Sequence, residues 1–247
     1  MTFATFIPPH ANQGVGLAFT DRWGGVSPPP YDSLDLGRRD AGDPGCSARN
    51  FQIVEESIGC AQIAMCAQVH GVHVEQVDAL FPCFPLTDDR QADGLVTVVP
   101  EMALAIRVAD CVPVLLADPQ ARVVGAAHAG RVGLLAGVLE ETVQAMRSLG
   151  ARDIQGWIGP HICPSCYEVP DQMAAQAWET IPATRARSRR STSAIDLGAG
   201  AEAVLRRESV STTRLDPCTS CDPRFFSHRR DKGLTGRQAG LIWLEKL

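Results

Sequence analysis

Two histidines and one cysteine are the residues of this chain best suited to chemistry: His70, Cys111 and His128. Two imidazoles and a thiolate are three of the four ligands of a catalytic zinc site, whose open fourth position acidifies water to a nucleophile near neutral pH. Copper accepts the same donors. Without a metal, the thiol and either imidazole form a Cys–His nucleophile pair. The bland alternative is three ordinary core residues. His73 lies three positions after His70, so a straight strand turns it to the opposite face and it reads as a surface residue.

The surrounding pattern places all three at strand ends, where sheets present ligand-binding groups. Leu104–Val108 alternates as one strand, Val112–Ala117 is a short apolar run closed by Asp118-Pro119, and Val123–Ala127 reads as a third strand. Cys111 falls at the first junction beside Asp110, and His128 falls where the third strand gives way to Ala-Gly. A single helix is then expected, with Val132, Leu135, Val138, Leu139, Val143, Met146 and Leu149 on one face and Gly150 as its stop. His70-Gly71 opens a further strand through Val72, Val74 and Val77.

Elsewhere, a short strand-like opening leads to Phe19–Tyr31, an irregular loop rich in Gly and Pro. Ala48–Ile58 reads as a helix with Phe51, Val54 and Ile58 inward and Gly59 behind it. Asp171–Thr180 reads as another, and Asp196 caps a third through Arg207. The tail from Cys218 reads as strand, turn, strand, the last one apolar. Cys163-x-x-Cys166 and Cys218-x-x-Cys221 are two CxxC pairs that can hold structural zinc. About fifty residues separate them, against roughly 15–20 in compact zinc ribbons, which favours four reduced thiols.

Composition excludes several function classes. Of 247 residues, 45% are hydrophobic and 21% charged, as in ordinary globular proteins. A net charge of −5 gives no general attraction to nucleic acid or anionic membrane. The cluster Arg185-Ala-Arg187-Ser-Arg189-Arg190 reads as a solvated loop. Met1–Val15 lacks a basic n-region and carries prolines, and no apolar run is long enough to span a bilayer. Nine cysteines without a leader fit reduced thiols in a cytoplasm. No feature proposes an interface, so a monomer is expected.

A set of short motifs, in order and nearly end to end, carries a family resemblance. Phe19–Ser27, Gln68-Val-His70-Gly71, Ala92-Asp93, Ala109-Asp110-Cys111-Val-Pro113, His128-Ala-Gly130, Cys166-Tyr-Glu-Val169, Cys218-Thr-x-Cys221, Ser227-x-Arg229-Arg230 and Thr235-Gly-Arg237-Gln resemble the YfiH family. That family is labelled multicopper polyphenol oxidase or laccase domain, and is also described as purine nucleoside phosphorylases. The resemblance implies a single α/β (α+β) domain over 1–247, with mixed β-sheet layers, flanking helices and a cytotoxic-necrotising-factor/YfiH-like fold. It implies that His70, Cys111 and His128 are both the catalytic and the metal residues, with zinc, or else copper, as cofactor.

The implied activity is phosphorolysis of adenosine, inosine and methylthioadenosine, with zinc-dependent adenosine deamination beside it. Peptidoglycan-precursor editing by a cysteine-dependent hydrolase, weak polyphenol oxidation, and binding without turnover are the alternatives. Six histidines are too few for a four-copper laccase. Deamination needs a carboxylate to move protons, for which Asp93 and Asp110 are the candidates. For phosphorolysis, Arg22 in its Gly-rich loop is expected to clamp phosphate and Gln68 to bond base or sugar. Arg131 is the third expected substrate-binding residue. The family reads His-Ala-Gly-Trp-Arg-Gly where this chain has His128-Ala-Gly-Arg131-Val132-Gly133, so the arginine comes one place early and is turned by about 100° on a helix start. Asp35 stands where asparagine is usual.

Overall fold

Strands buried on both faces read as unbroken apolar runs, and two such sheets form the centre of this protein. The computed structural model describes residues 3–37, 44–60, 62–81 and 90–246. The chain opens with β1 (Phe3–Ile7) and β2 (Val15–Thr20), then α1 (Pro44–Ile58). Six strands follow: β3 (Gln62–Ala64), β4 (Val74–Gln76), β5 (Gly94–Thr97), β6 (Met102–Val108), β7 (Val112–Asp118) and β8 (Val123–Ala129). After them come α2 (Arg131–Ala136), α3 (Val138–Ser148), β9 (Gln155–Ile158) and α4 (Asp171–Thr180). The chain ends with β10 (Arg185–Arg187), β11 (Ser193–Ile195), α5 (Leu197–Arg207), β12 (Ser211–Arg214) and β13 (Gln238–Leu244).

One sheet has the order β1-β2-β13-β6-β3 and the other β12-β9-β7-β8-β5-β4, while β10 and β11 form a separate hairpin. Both larger sheets are mixed: β3 runs parallel to β6, β4 to β5 and β12 to β9, and the remaining pairs are antiparallel. The mixed α/β class expected from the sequence is the one found.

Alternation along single strands builds the layers. Leu115 and Ala117 of β7 face Leu104, Ile106 and Val108 of β6 and Ile242 and Leu244 of β13, which fill the space between the sheets. Val114 and Leu116 point the other way, onto Leu139, Val143 and Met146 of α3 and Val204 and Leu205 of α5. Ala103, Ala105, Leu241 and Trp243 of the first sheet meet Phe51, Val54 and Ile58 of α1. The result is four layers: helix, sheet, sheet, helices.

Two expectations are corrected. The single helix after His128 is two, because Gly137 adopts φ +104°, a left-handed conformation that ends α2 and starts α3. The tail from Cys218 forms turns rather than a first strand, and only β13 is regular. Its polar residues are used instead in side-chain bonds such as Thr219 Oγ1 to Asp110 and Arg230 to Thr219 O. The final apolar strand does tie the C-terminal part into the sheet, between β2 and β6. Asp196 caps α5 as expected, its carboxylate accepting from Ala199 N at 2.9 Å. No described helix is long and apolar enough to cross a membrane.

Candidate active site

Two loops and one strand end deliver His70, Cys111 and His128 to one place, and their ligand atoms lie within 4.8 Å of one another. His128 is the next-to-last residue of β8, paired across the ladder with Pro113, and is buried. Cys111 follows β6 in the tight link to β7, which Asp110 turns with φ +96°. The Asp110 carboxylate is held by Thr219 Oγ1 at 2.7 Å and Arg229 N at 2.6 Å, which fixes this link. His70 stands on the loop between β3 and β4 with φ +62°.

Asp93, immediately before β5, organises the cluster. Its fully buried carboxylate accepts the successive amides of Val69, His70 and Gly71 at 3.0, 3.0 and 2.7 Å, and so shapes the His70 turn. The same carboxylate accepts His128 Nδ1 at 2.7 Å, leaving Nε2 to face Cys111. Burial alone would raise its pKa, but His128 and the Gly71 and Val69 amides hold it below the usual value. A carboxylate that fixes an imidazole tautomer is the usual support of a metal-ligating histidine.

The thiol is tuned by the same neighbours. Burial raises Cys111, yet His128 and then His70, whose Nε2 is 3.7 Å from Sγ, bring it down to about 6. Burial lowers His128, but the Cys111 thiolate and Asp93 raise it to about 9. Space for a guest is kept by Gly130: a Cβ there would stand 2.7 Å from His70 Cδ2 and 3.0 Å from Cys111 Sγ. Two imidazoles, a readily ionised thiol and a carboxylate bonded behind His128 fit a single borderline divalent ion such as zinc, with copper as the other ion these donors suit.

The cluster opens on a cleft of about 700 Å3. Arg107, Arg229 and Arg237 supply positive charge, and Tyr167 supplies an aromatic ring. Of the expected substrate residues, Gln68 lines the cleft, but both ends of its amide are bonded to the Arg107 main chain, at 2.8 and 2.9 Å. Arg131 begins α2 with its charge near Tyr167 but is outside the cleft lining; the Tyr167 ring lies 5.1 Å from the Arg229 guanidinium. Arg22 is outside the cleft lining; it binds Asp32 at 2.7 and 3.1 Å and lies 4.6 Å over Phe226. His73 is exposed beside Glu75. Arg229 and Arg237 were visible in the sequence only as members of motifs, with nothing to show that their loops fold back onto Cys111.

Residues 16–245 match the family described as multi-copper polyphenol oxidoreductase laccase. The chain belongs to this family. Among its relatives is a Streptomyces coelicolor protein named purine nucleoside phosphorylase, 44% identical over 94% of this chain and 96% of that one. A Mycobacterium tuberculosis protein of the same name is 43% identical over 92% and 90%. A solved Neisseria meningitidis structure superimposes with a TM-score of 0.86 at 35% identity over the whole of both chains. The Bacillus licheniformis protein YfiH does so with 0.85 at 28%, over 94% and 93%. The family's laccase label fits the donor set poorly: among the described residues, His70 and His128 are the only two of the six histidines that share a metal-binding cluster.

Proposed function

We propose that this protein is a purine nucleoside phosphorylase acting on adenosine, inosine and methylthioadenosine. The observation that carries the reading is the convergence of His70, Cys111 and His128 on a cleft whose wall holds three arginines. The names borne by relatives at 43–44% identity support it. In the reaction a phosphate oxygen bonds to C1′ of the ribose as the C1′–N9 bond breaks. Its electron pair leaves with the base, and the phosphate O–H hydrogen ends on the base. His70, Cys111 and His128 would hold a divalent ion, which would supply Lewis acidity when bound.

The chain's own residues do the positioning. Arg229 and Arg237 orient phosphate, since guanidinium groups match its oxygens in pairs. Tyr167 offers a ring for the purine, and Asp93 keeps His128 in one tautomer. Asp110 and Asp93, the carboxylates a deaminase would need for proton transfer, are both committed to bonds. Adenosine deamination is therefore the lesser of the two nucleoside activities proposed.

A second reading is favoured by one observation: Cys111, His128 and Asp93 form a thiol–imidazole–carboxylate series with an ionised thiol. That is the arrangement of a cysteine hydrolase, for which a cell-wall precursor is the candidate substrate. Purified protein assayed with adenosine and inosine, with and without phosphate, separates the readings. Phosphate-dependent release of adenine or hypoxanthine, lost in Cys111→Ala and on chelation, is the expected result. Hydrolysis of a precursor that survives chelation supports the cysteine hydrolase instead.

A further inference from the structure

Outside the cleft, the two CxxC pairs that lie far apart in sequence meet in space. Cys163 and Cys166 flank a turn between β9 and α4, closed by Cys166 N donating to Cys163 O at 3.0 Å. Cys218 and Cys221 flank a turn between β12 and β13, closed by Asp222 N donating to Cys218 O at 3.0 Å. The parallel pairing of β9 with β12 puts the two turns side by side, and a bridge between His161 and Cys218 continues that pairing. The roughly fifty-residue separation is therefore no obstacle: α4, the β10–β11 hairpin and α5 form one excursion between neighbouring strands.

The four sulfurs lie within 4.8 Å of one another, with Cys166 to Cys221 at 3.3 Å and Cys163 to Cys221 at 4.0 Å. A tetrahedral thiolate site with bonds of about 2.3 Å separates its sulfurs by about 3.8 Å. Donors also converge on the sulfurs, as they do on thiolates. Cys163 N donates to Cys218 Sγ at 3.2 Å, and the Arg189 guanidinium to Cys221 Sγ at 2.8 Å. Four adjacent thiolates repel one another unless a cation sits among them. A divalent ion would leave two negative charges, which Arg189 partly offsets.

The structure assigns to Cys163, Cys166, Cys218 and Cys221 a four-thiolate zinc site, separate from the His70–Cys111–His128 cluster. Binding releases the thiol protons to solvent and forms four metal–sulfur bonds, with no change of oxidation state. Its role is to fasten one wall of the cleft. The first turn leads into Tyr167, and the second leads to Arg229, whose guanidinium binds the Cys166 and Glu168 carbonyls at 3.3 and 2.8 Å. Arg229 N and Thr219 in turn hold Asp110 beside Cys111.

The test uses the full chain with the cleft cluster removed, His70→Ala/Cys111→Ser/His128→Ala. Elemental analysis is expected to find about one zinc per chain, and adding Cys218→Ser/Cys221→Ser is expected to abolish it. Because serine variants can fail to fold, cobalt is also titrated into metal-stripped Cys111→Ser protein. A thiolate-to-cobalt charge-transfer band with tetrahedral d–d absorption, saturating at one equivalent and bleached by zinc, is the expected spectrum. Absence of zinc from the cluster-free variant together with absence of that band overturns the assignment. So does an intact mass showing these four cysteines joined as disulfides in freshly isolated protein.

Discussion

Asp93 holds His128 from two directions. Its main-chain carbonyl accepts the His128 amide at 2.7 Å, and its carboxylate accepts Nδ1 at 2.7 Å. Both carboxylate oxygens are fully used, Oδ1 by His70 N and His128 Nδ1, and Oδ2 by Val69 N and Gly71 N. Asp93→Asn therefore has no good orientation, because either way its NH2 faces donors. A buried donor without an acceptor costs about 1–3 kcal/mol. Loss of a carboxylate behind a metal-binding histidine lowers metal affinity or activity roughly 10–100-fold. Metal titration and kcat/KM of D93N measure both effects; wild-type affinity in the variant would show that Asp93 only shapes the loop.

Gly130 separates space from backbone conformation. Its φ of −71° and ψ of 165° are open to alanine, so Gly130→Ala introduces no backbone strain. The added Cβ nevertheless reaches His70 Cδ2 and Cys111 Sγ at 2.7 and 3.0 Å. Displacement of reacting groups by about 1 Å can cost on the order of 100-fold in rate. The expected variant keeps its circular dichroism and melting temperature but loses activity and metal affinity together. Retained activity would mean that the ligand trio opens freely to admit a methyl group.

The sequence made the trio legible because each member stands at a visible junction: Cys111 between two apolar runs, His128 at the end of a third, and His70 before a glycine. The strands around them were readable because burial on both faces leaves continuous runs such as Val112–Ala117. The break at Gly137 was hidden, since the helical spacing of apolar residues continues through it. What lay beyond local pattern was long-range pairing. Nothing near Arg229 or Arg237 shows that the tail folds onto Cys111, and nothing near Arg22 shows that Asp32 binds it instead. The two CxxC pairs became neighbours only through the pairing of β9 with β12, a contact that spacing rules for compact ribbons do not cover.

In metal-free protein the Cys111–His128 pair predicts a window of pH. The Cys111 thiol falls from 9.0 to about 6. Between those values the unfolded chain carries a proton that the folded chain lacks, so this group's stabilisation grows with pH and is lost as pH falls through 6. His128 rises from 6.5 to about 9, so its contribution is full below 6.5 and is lost as pH rises through 9. The charged pair is thus favoured between about 6 and 9. Alkylation of Cys111, followed by mass spectrometry of its peptide after metal removal, is expected to show a midpoint near 6. A midpoint near 9 would mean that the imidazoles do not act on the thiol; added zinc should protect it at pH values where Cys111, His70 and His128 can all give up their protons to the metal.

Asp35 is a buried carboxyl in the cleft wall. Burial raises its pKa, against the opposing pull of the Gly37 and Arg237 amides and the Arg237 and Arg107 charges. A carboxyl raised on folding is a burden when ionised. The burden is absent below the ordinary 3.8, grows as pH climbs from there to the raised folded value, and is full above it. Gly37 N and Arg237 N both donate to its Oδ1 at 2.8 Å. Asp35→Asn keeps those two bonds and removes the charge. The variant is expected to be more stable at pH 7 by on the order of 1 kcal/mol, roughly 2–4 °C in melting temperature for a chain of this size. The gain should vanish in acid, where wild-type Asp35 is neutral. It should also leave the cleft more positive, so the KM for phosphate should fall. Lower stability of D35N at neutral pH would show that attraction to Arg237 and Arg107 outweighs the cost of burying the carboxylate.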